Sequence, residues 1–205
     1  MIDQLLSTTL QVALFTLIPF LFYLFQQRTP RGFLHSIGLR PSTQHANRLA
    51  LGVALVISLP ILALTVLNSE FRAIMTDPRS VTGGIRQMGF GATTIGVIMI
   101  TAVLKTALAE EIFFRGFLAK KLMAWLNPVI GNLVQAIIFG LIHVLLFLTI
   151  SNNAVFLTII FLFPAMGGFL MAHLNENMAD GSIIPSWIAH AIANLLSYSV
   201  VGFLI

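Results

Sequence analysis

The chain has 205 residues, of which 58% are hydrophobic and only 9% are charged, with a formal net charge of +4 and no cysteine. Soluble domains carry roughly 25% charged residues, so this composition excludes a soluble globular protein and indicates a polytopic helical membrane protein. The positive charge is dilute and forms no basic run, which excludes nucleic-acid binding. The lack of cysteine excludes disulfides, thiolate catalysis and cysteine-ligated metals.

Six apolar stretches have about the length, roughly 20 residues, that a helix needs to cross a bilayer. They are predicted at about 5–25, 49–67, 92–125, 129–150, 154–174 and 183–205. Pro19, Pro60 and Pro164 lie inside three of them and predict kinks, which a membrane bundle tolerates. The predicted fold is therefore all-α: a transmembrane bundle of about six spans, with kinked helices around a polar intramembrane site.

Two long polar connections separate the first three spans. Apolar residues within 27–48 predict a short interfacial helix there, and the glycines in and beside 68–90 predict irregular backbone. The third stretch, 92–125, is longer than a bilayer is thick, so it either tilts strongly or breaks near Gly116. The count of lysine and arginine in short loops places 27–48 in the cytoplasm and both termini outside.

The third stretch contains the first polar cluster, the sequence L-A-E-E-I-F-F-R-G-F-L from Leu108 to Leu118. Glu111 and Arg115 are four residues apart, so they share a helix face and can pair. Glu110 lies about 100° further round the helix axis, which leaves its carboxylate free to face elsewhere. Ionisable groups at membrane depth indicate function, although a structural salt bridge explains this cluster equally well when it is taken alone.

Two later spans carry further polar residues at helical spacing. His143 follows Phe139 by one turn, so the phenyl ring can pack beside the imidazole. His190 and Asn194 are also one turn apart and can point at a single site. Hydrogen bonding between helices explains each pair without any chemistry. The presence of polar groups on three of the last four spans favours a common cavity.

The same residues allow two kinds of chemistry. Glu110, His143 and His190 could form a two-His, one-carboxylate zinc site, although the chain has no H-E-x-x-H motif. Without a metal, a glutamate and His143 could activate a water while His190 and Asn194 donate hydrogen bonds to the developing oxyanion. We favour the version without a cofactor and keep zinc as the alternative.

Taken together, the three motifs resemble those of the CAAX protease and bacteriocin-processing (CPBP, or Abi) membrane proteins. That family is marked by E-E-x-x-x-R, F-x-x-x-H and H-x-x-x-N, in this order on successive membrane helices. The motifs stand here as Glu110 to Arg115, Phe139 to His143 and His190 to Asn194. The resemblance covers about residues 95–200.

The resemblance implies an intramembrane endopeptidase, and the chemistry given above favours a glutamic enzyme over a metal-dependent one. Glu110 and His143 would activate the attacking water, and His190 with Asn194 would form the oxyanion site. Glu111 and Arg115 of the first motif would support this arrangement, as would Phe139 of the second motif. The expected partners are the lipid bilayer and a membrane-embedded or lipid-anchored peptide, such as a CAAX-like or precursor peptide, in a prokaryotic plasma membrane.

The resemblance divides the chain into two predicted parts. Residues 1–90 form two N-terminal transmembrane spans with polar loops, and residues 91–205 form a catalytic core of four spans. A hypothesis from a different class is a non-proteolytic immunity or scaffold protein. In such a protein the same polar residues would only hold the bundle together.

Overall fold

The computed structural model describes all 205 residues and confirms an all-helical bundle. Six helices are long and apolar enough to cross a membrane. They are α1 (Ile2–Gln27), α3 (Gln44–Leu67), α6 (Ala92–Trp125), α7 (Pro128–Phe147), α8 (Ala154–Met178) and α9 (Ile184–Phe203). Shorter helices lie in the connections: α2 (Phe33–Ser36), α4 (Ser69–Met75) and α5 (Val81–Met88). The chain is an integral, multi-pass membrane protein.

Local sequence signals explain where several spans begin. Thr43, Asn127 and Asn153 each accept a hydrogen bond from a backbone N–H in the first turn of α3, α7 and α8. These caps satisfy N–H groups that have no partner inside the helix. Pro128 occupies the first turn of α7, where its fixed φ suits the helix and its missing N–H is not needed.

The connection between α3 and α6 is more ordered than its glycines predict. Gly83 and Gly84 lie inside α5, so the prediction of irregular backbone at these positions is wrong. Asn68 and Ser80 cap α4 and α5 through their side chains, and these start signals outweigh the low helix propensity of glycine. Gly83 serves close packing instead, because a Cβ there would collide with the backbone of Asp77.

Helix α6 is continuous over 34 residues, so it does not break near Gly116. Two stretches of it, Ile100–Leu108 and Glu111–Ala119, are π-helical. Gly116 instead allows the loop beyond α2 to approach, because a Cβ there would lie 2.6 Å from the carbonyl oxygen of Ile37. The glycine is a packing residue within the helix rather than a breakpoint.

The core of the bundle is formed by α3, α6, α7, α8 and α9, and α1 lies at its periphery. The most extensive contacts join α7 to α8 and α9 to α3. At Gly140 the first pair approaches at backbone distance, since an added Cβ would lie 2.7 Å from the carbonyl oxygen of Phe161. Small residues at such crossings are a common device of membrane bundles. In contrast, only 11% of the most apolar window of α1 is buried.

The two ends of the bundle are tied together by different loops. At one end, which we name the basic end, the 28–43 loop contacts the 179–183 loop through a hydrogen bond from Ile183 N to Gly38 O of 2.9 Å. At the other, which we name the terminal end, both chain termini lie at the same end of the bundle as α4 and α5, as an even number of spans requires. Arg115 is buried within the bundle and therefore does not count toward the loop charges. The orientation in the membrane stays a prediction.

Candidate active site

The first polar cluster, Leu108 to Leu118, lies within and between the two π-helical stretches of α6. The amide of Ala109 donates to Leu104 O, a carbonyl five residues back, which is the bond that widens a π-helical turn. Side chains of the neighbouring helices bind carbonyls of the same stretch: Trp187 Nε1 donates to Val103 O at 2.7 Å, and Gln11 Nε2 to Lys105 O at 2.9 Å. Deformations of this type occur often at functional sites.

Glu111 is the centre of a fully buried ionic network. Its Oε1 lies 3.1 Å from Arg115 Nη1, and both side chains are 0% exposed. The same oxygen lies 2.8 Å from His190 Nδ1. Because a carboxylate can only accept, Nδ1 carries the hydrogen of this bond. The pairing predicted from the four-residue spacing is confirmed, and Glu111 fixes the orientation of the His190 ring.

Arg115 is held by charge and by an aromatic face rather than by aligned hydrogen bonds. None of its guanidinium nitrogens has a hydrogen-bond partner of good geometry. The guanidinium carbon lies 4.1 Å from the centroid of the Phe139 ring, a cation–π contact. Gly168 leaves room for this packing, since a Cβ there would lie 3.3 Å from Arg115 Nη2. Phe139 thus supports the arginine as well as the histidine that follows it.

Glu110 has a different environment from its neighbour. Its side chain is 20% exposed and lines the main cavity of the bundle. Glu110 Oε2 lies 3.8 Å from His190 Nε2 and has no hydrogen-bond partner. The expectation that this carboxylate faces away from Arg115 agrees with the structure, but both carboxylates border on His190. Glu111 Oε2 also lacks a partner, but its side chain is 0% exposed, so Glu110 is the carboxylate that reaches the cavity.

His143 lines the same cavity, and a hydrogen bond to a backbone carbonyl determines which of its ring nitrogens carries the hydrogen. Its Nδ1 lies 2.8 Å from Phe139 O, and a carbonyl can only accept, so Nδ1 carries the hydrogen. Neutral His143 then has its lone pair on Nε2. The His143 and Phe139 ring centroids are 4.6 Å apart, which confirms the packing predicted from their spacing.

Asn194 also lines the cavity, and its amide is bound to α6. Asn194 Nδ2 donates to Thr106 Oγ1 at 2.8 Å and makes a longer contact of 3.5 Å with Ala102 O. Thr106 is one turn before Glu110 and lines the cavity as well. Sequence reasoning missed this threonine, although its four-residue spacing from Glu110 was a usable signal.

The cavity has a volume of about 480 Å³ and extends from these residues toward the terminal end. Arg79, Ser80 and Thr149 line it there. Its walls are largely apolar and come from α3, α7 and α8; they include Ile57, Ile61, Ile160, Phe163 and Met171. An apolar cavity with a few convergent polar groups is the usual form of a binding site.

The structure therefore brings the four predicted catalytic residues, Glu110, His143, His190 and Asn194, to one cavity, which Phe139 also lines. The supporting pair, Glu111 and Arg115, lies behind them in the core. Lys105 does not line this cavity: it faces α1, and its Nζ donates to Ser7 Oγ at 3.0 Å.

The zinc alternative can be compared with this geometry. No three His, Asp or Glu side chains of the chain are arranged so that they could hold a metal ion. His190 Nδ1 bonds to Glu111 Oε1 and His143 Nδ1 to a backbone carbonyl, so the Nε2 atom of each ring is free of these bonds. Metal-ligating histidines are oriented by bonds of the same kind. Glu110, His143 and His190 line one cavity but, as placed, do not form a three-ligand metal site.

Comparison with known proteins gives one match. The model of a family described as Type II CAAX prenyl endopeptidase Rce1-like matches residues 92–196. The matched segment begins with α6 and ends within α9, so it contains all the motif residues and the whole polar cluster. It confirms the resemblance to CAAX proteases. Neither the curated proteins nor the solved structures gave a match.

Proposed function

The chain belongs to the Rce1-like family of type II CAAX prenyl endopeptidases, and from this premise we propose that it hydrolyses a peptide bond with a water activated by Glu110 and His143. The observation that carries the proposal is the position of Glu110. This carboxylate lines an intramembrane cavity together with His143 and His190, and its side chain is 20% exposed. A glutamate in that position can take a proton from water and return it to a leaving group.

His143 supports the same step from the other side of the water. With its hydrogen on Nδ1, the neutral imidazole offers the Nε2 lone pair as an acceptor. A water in the cavity could then donate one hydrogen to Glu110 and the other to His143. This arrangement orients a water lone pair toward a substrate carbonyl and raises its nucleophilicity.

His190 and Asn194 are the proposed donors to the oxyanion. His190 donates from Nδ1 to Glu111, so donation from Nε2 as well requires hydrogen on both ring nitrogens. The imidazolium and Arg115 together then balance the charges of Glu110 and Glu111. A balanced set of charges suits an apolar interior, where an uncompensated charge is costly.

The proposed reaction needs no further reactant. The water oxygen attacks the carbonyl carbon, Glu110 takes the proton, and the negative charge on the carbonyl oxygen is stabilised by His190 and Asn194. When the tetrahedral intermediate collapses, the C–N bond breaks and Glu110 gives its proton to the leaving amine. The products are a carboxylic acid and an amine, and the carboxylate of Glu110 is regenerated.

The proposed substrate is a membrane-embedded or lipid-anchored peptide, CAAX-like or a precursor, in a prokaryotic plasma membrane. Two features support a membrane-associated substrate. The site lies among membrane-spanning helices, and the cavity that leads to it has apolar walls. A peptide that is already in or on the bilayer could enter this cavity without carrying a charged segment across the apolar interior.

The proposal is tested by cleavage of a membrane-peptide library with purified protein in proteoliposomes. Glu110→Gln keeps the size of the side chain and removes the base, so we expect kcat to fall by at least about 100-fold, the lower range for general-base catalysis. Glu176→Gln is a matched control, because Glu176 pairs with Lys120 at the basic end and its loss should leave kcat unchanged. Equal cleavage by Glu110→Gln and wild type would refute the proposed role.

A further inference from the structure

The hydroxyl of Thr106 has a defined direction. Thr106 Oγ1 lies 2.8 Å from Thr101 O and 3.4 Å from Ala102 O. Carbonyls only accept, so the single hydroxyl hydrogen points to the backbone of α6. The lone pairs of Oγ1 are left to accept, and Asn194 Nδ2 lies 2.8 Å away.

This direction also fixes the orientation of the Asn194 amide. Because the hydroxyl hydrogen is engaged, Thr106 can bind the NH2 group of Asn194 but not its carbonyl oxygen. The second hydrogen on Nδ2 has only the 3.5 Å contact with Ala102 O, which lies at the outer limit for a hydrogen bond. This N–H can therefore exchange its weak contact for a hydrogen bond to a stronger acceptor in the cavity.

Without the threonine hydroxyl, the amide could rotate by half a turn. Its oxygen would then take the place of the NH2 group, and a carbonyl oxygen facing a developing oxyanion repels it. The loss would therefore exceed that of one hydrogen bond, because a donor is replaced by an acceptor in a cavity with largely apolar walls. Preorganised donors are effective because they need no rearrangement during the reaction.

We propose that Thr106 is a positioning residue that holds the Asn194 amide with its N–H toward the oxyanion site. The inference rests on the proposed function, because it presupposes that Asn194 donates to the oxyanion. The π-helical turn contributes directly, since the hydroxyl donates to a carbonyl five residues back in that segment. Thr106 thus links the unusual backbone of α6 to the geometry of α9.

The test compares Thr106→Val with Thr106→Ser in the proteoliposome cleavage assay. Valine matches threonine in shape without the hydroxyl, and we expect kcat to fall about tenfold with KM within about twofold, a part of the loss seen when a complete oxyanion donor is removed. Serine keeps the hydroxyl and should retain kcat within about threefold. Thr65→Val is the control: Thr65 is buried, donates to Ile61 O at 2.7 Å and does not line the cavity.

A double-variant cycle separates positioning from a structural role. In an Asn194→Ala background, Thr106→Val should have no further effect, because no amide is left to orient. An equal fall in kcat in both backgrounds, or wild-type kcat for Thr106→Val, would overturn the inference. If Thr106→Val does not fold, Thr106→Ala is compared with Thr106→Ser in its place. Wild-type protein that cleaves nothing would refute the proposed function and this inference with it, whereas an inactive Glu110→Gln beside an unaffected Thr106→Val refutes only the inference.

Discussion

Replacing Arg115 by methionine should strongly destabilise the bundle. Arg115 and Glu111 are both 0% exposed and lie 3.1 Å apart, so the substitution leaves a buried carboxylate whose remaining partner is His190. Breaking a buried ion pair by removing one partner typically costs about 3–5 kcal/mol. For a chain of this size each kcal/mol lowers Tm by about 2–4 °C, so we expect a fall of roughly 6–20 °C.

The measurement is thermal unfolding of the purified protein in detergent, followed by tryptophan fluorescence. The double variant Glu111→Gln/Arg115→Met removes both charges while an amide oxygen still accepts from His190, and most of the lost stability should return. Lys120→Met is the control, because the Lys120–Glu176 pair is partly exposed and such pairs contribute about 0–1 kcal/mol. Two results would contradict this prediction: a wild-type Tm for Arg115→Met, or a double variant that is no more stable than the single variant. Either would show that the Glu111–Arg115 pair does not stabilise the bundle as proposed.

Two further predictions concern the supports of the cavity. Gly140→Ala should lower the unfolding free energy of the protein by about 1–3 kcal/mol, because the added Cβ would lie 2.7 Å from Phe161 O. Gly52→Ala is the control and should not destabilise the protein, because nothing lies within 4 Å of the added Cβ. Equal Tm values for the two variants would contradict this prediction. Arg79 lowers the pKa of Asp77 from 3.8 to about 2. The stabilisation from their pair is therefore complete at a pH above 3.8, and it is lost as the pH falls through about 2. Asp77→Asn removes this pair at neutral pH and should loosen the 68–91 connection, so an added protease should cleave the connection faster. An unchanged cleavage rate would show that the pair does not stabilise the connection.

The sequence predicted the fold well because each determining signal is local. Long apolar stretches required membrane helices, since only helices or closed barrels satisfy their backbone within lipid. The ion pair between Glu111 and Arg115 and the packing of Phe139 on His143 followed from a four-residue spacing on a single helix. Interactions of this kind depend on one element and need no knowledge of the partner helices.

Features that depend on contacts between helices could not be predicted. The sequence does not distinguish a π-helical turn from an α-helical one, because both continue the same apolar stretch. Thr106 therefore looked like any threonine that bonds its own helix, and its bond to Asn194 emerges only when α6 and α9 are packed together. The bond from Lys105 to Ser7 could not be predicted for the same reason, since Ser7 lies on α1.

The most direct test of the central claim is peptide cleavage by protein that has been freed of metal. Wild-type protein is treated with a chelator, its metal content is measured, and its activity on the membrane-peptide library is compared with that of Glu110→Gln. We predict that the metal-free wild type cleaves at its untreated rate and that Glu110→Gln does not cleave. Activity that is lost on chelation and returns with zinc would contradict the account and make Glu110, His143 and His190 metal ligands.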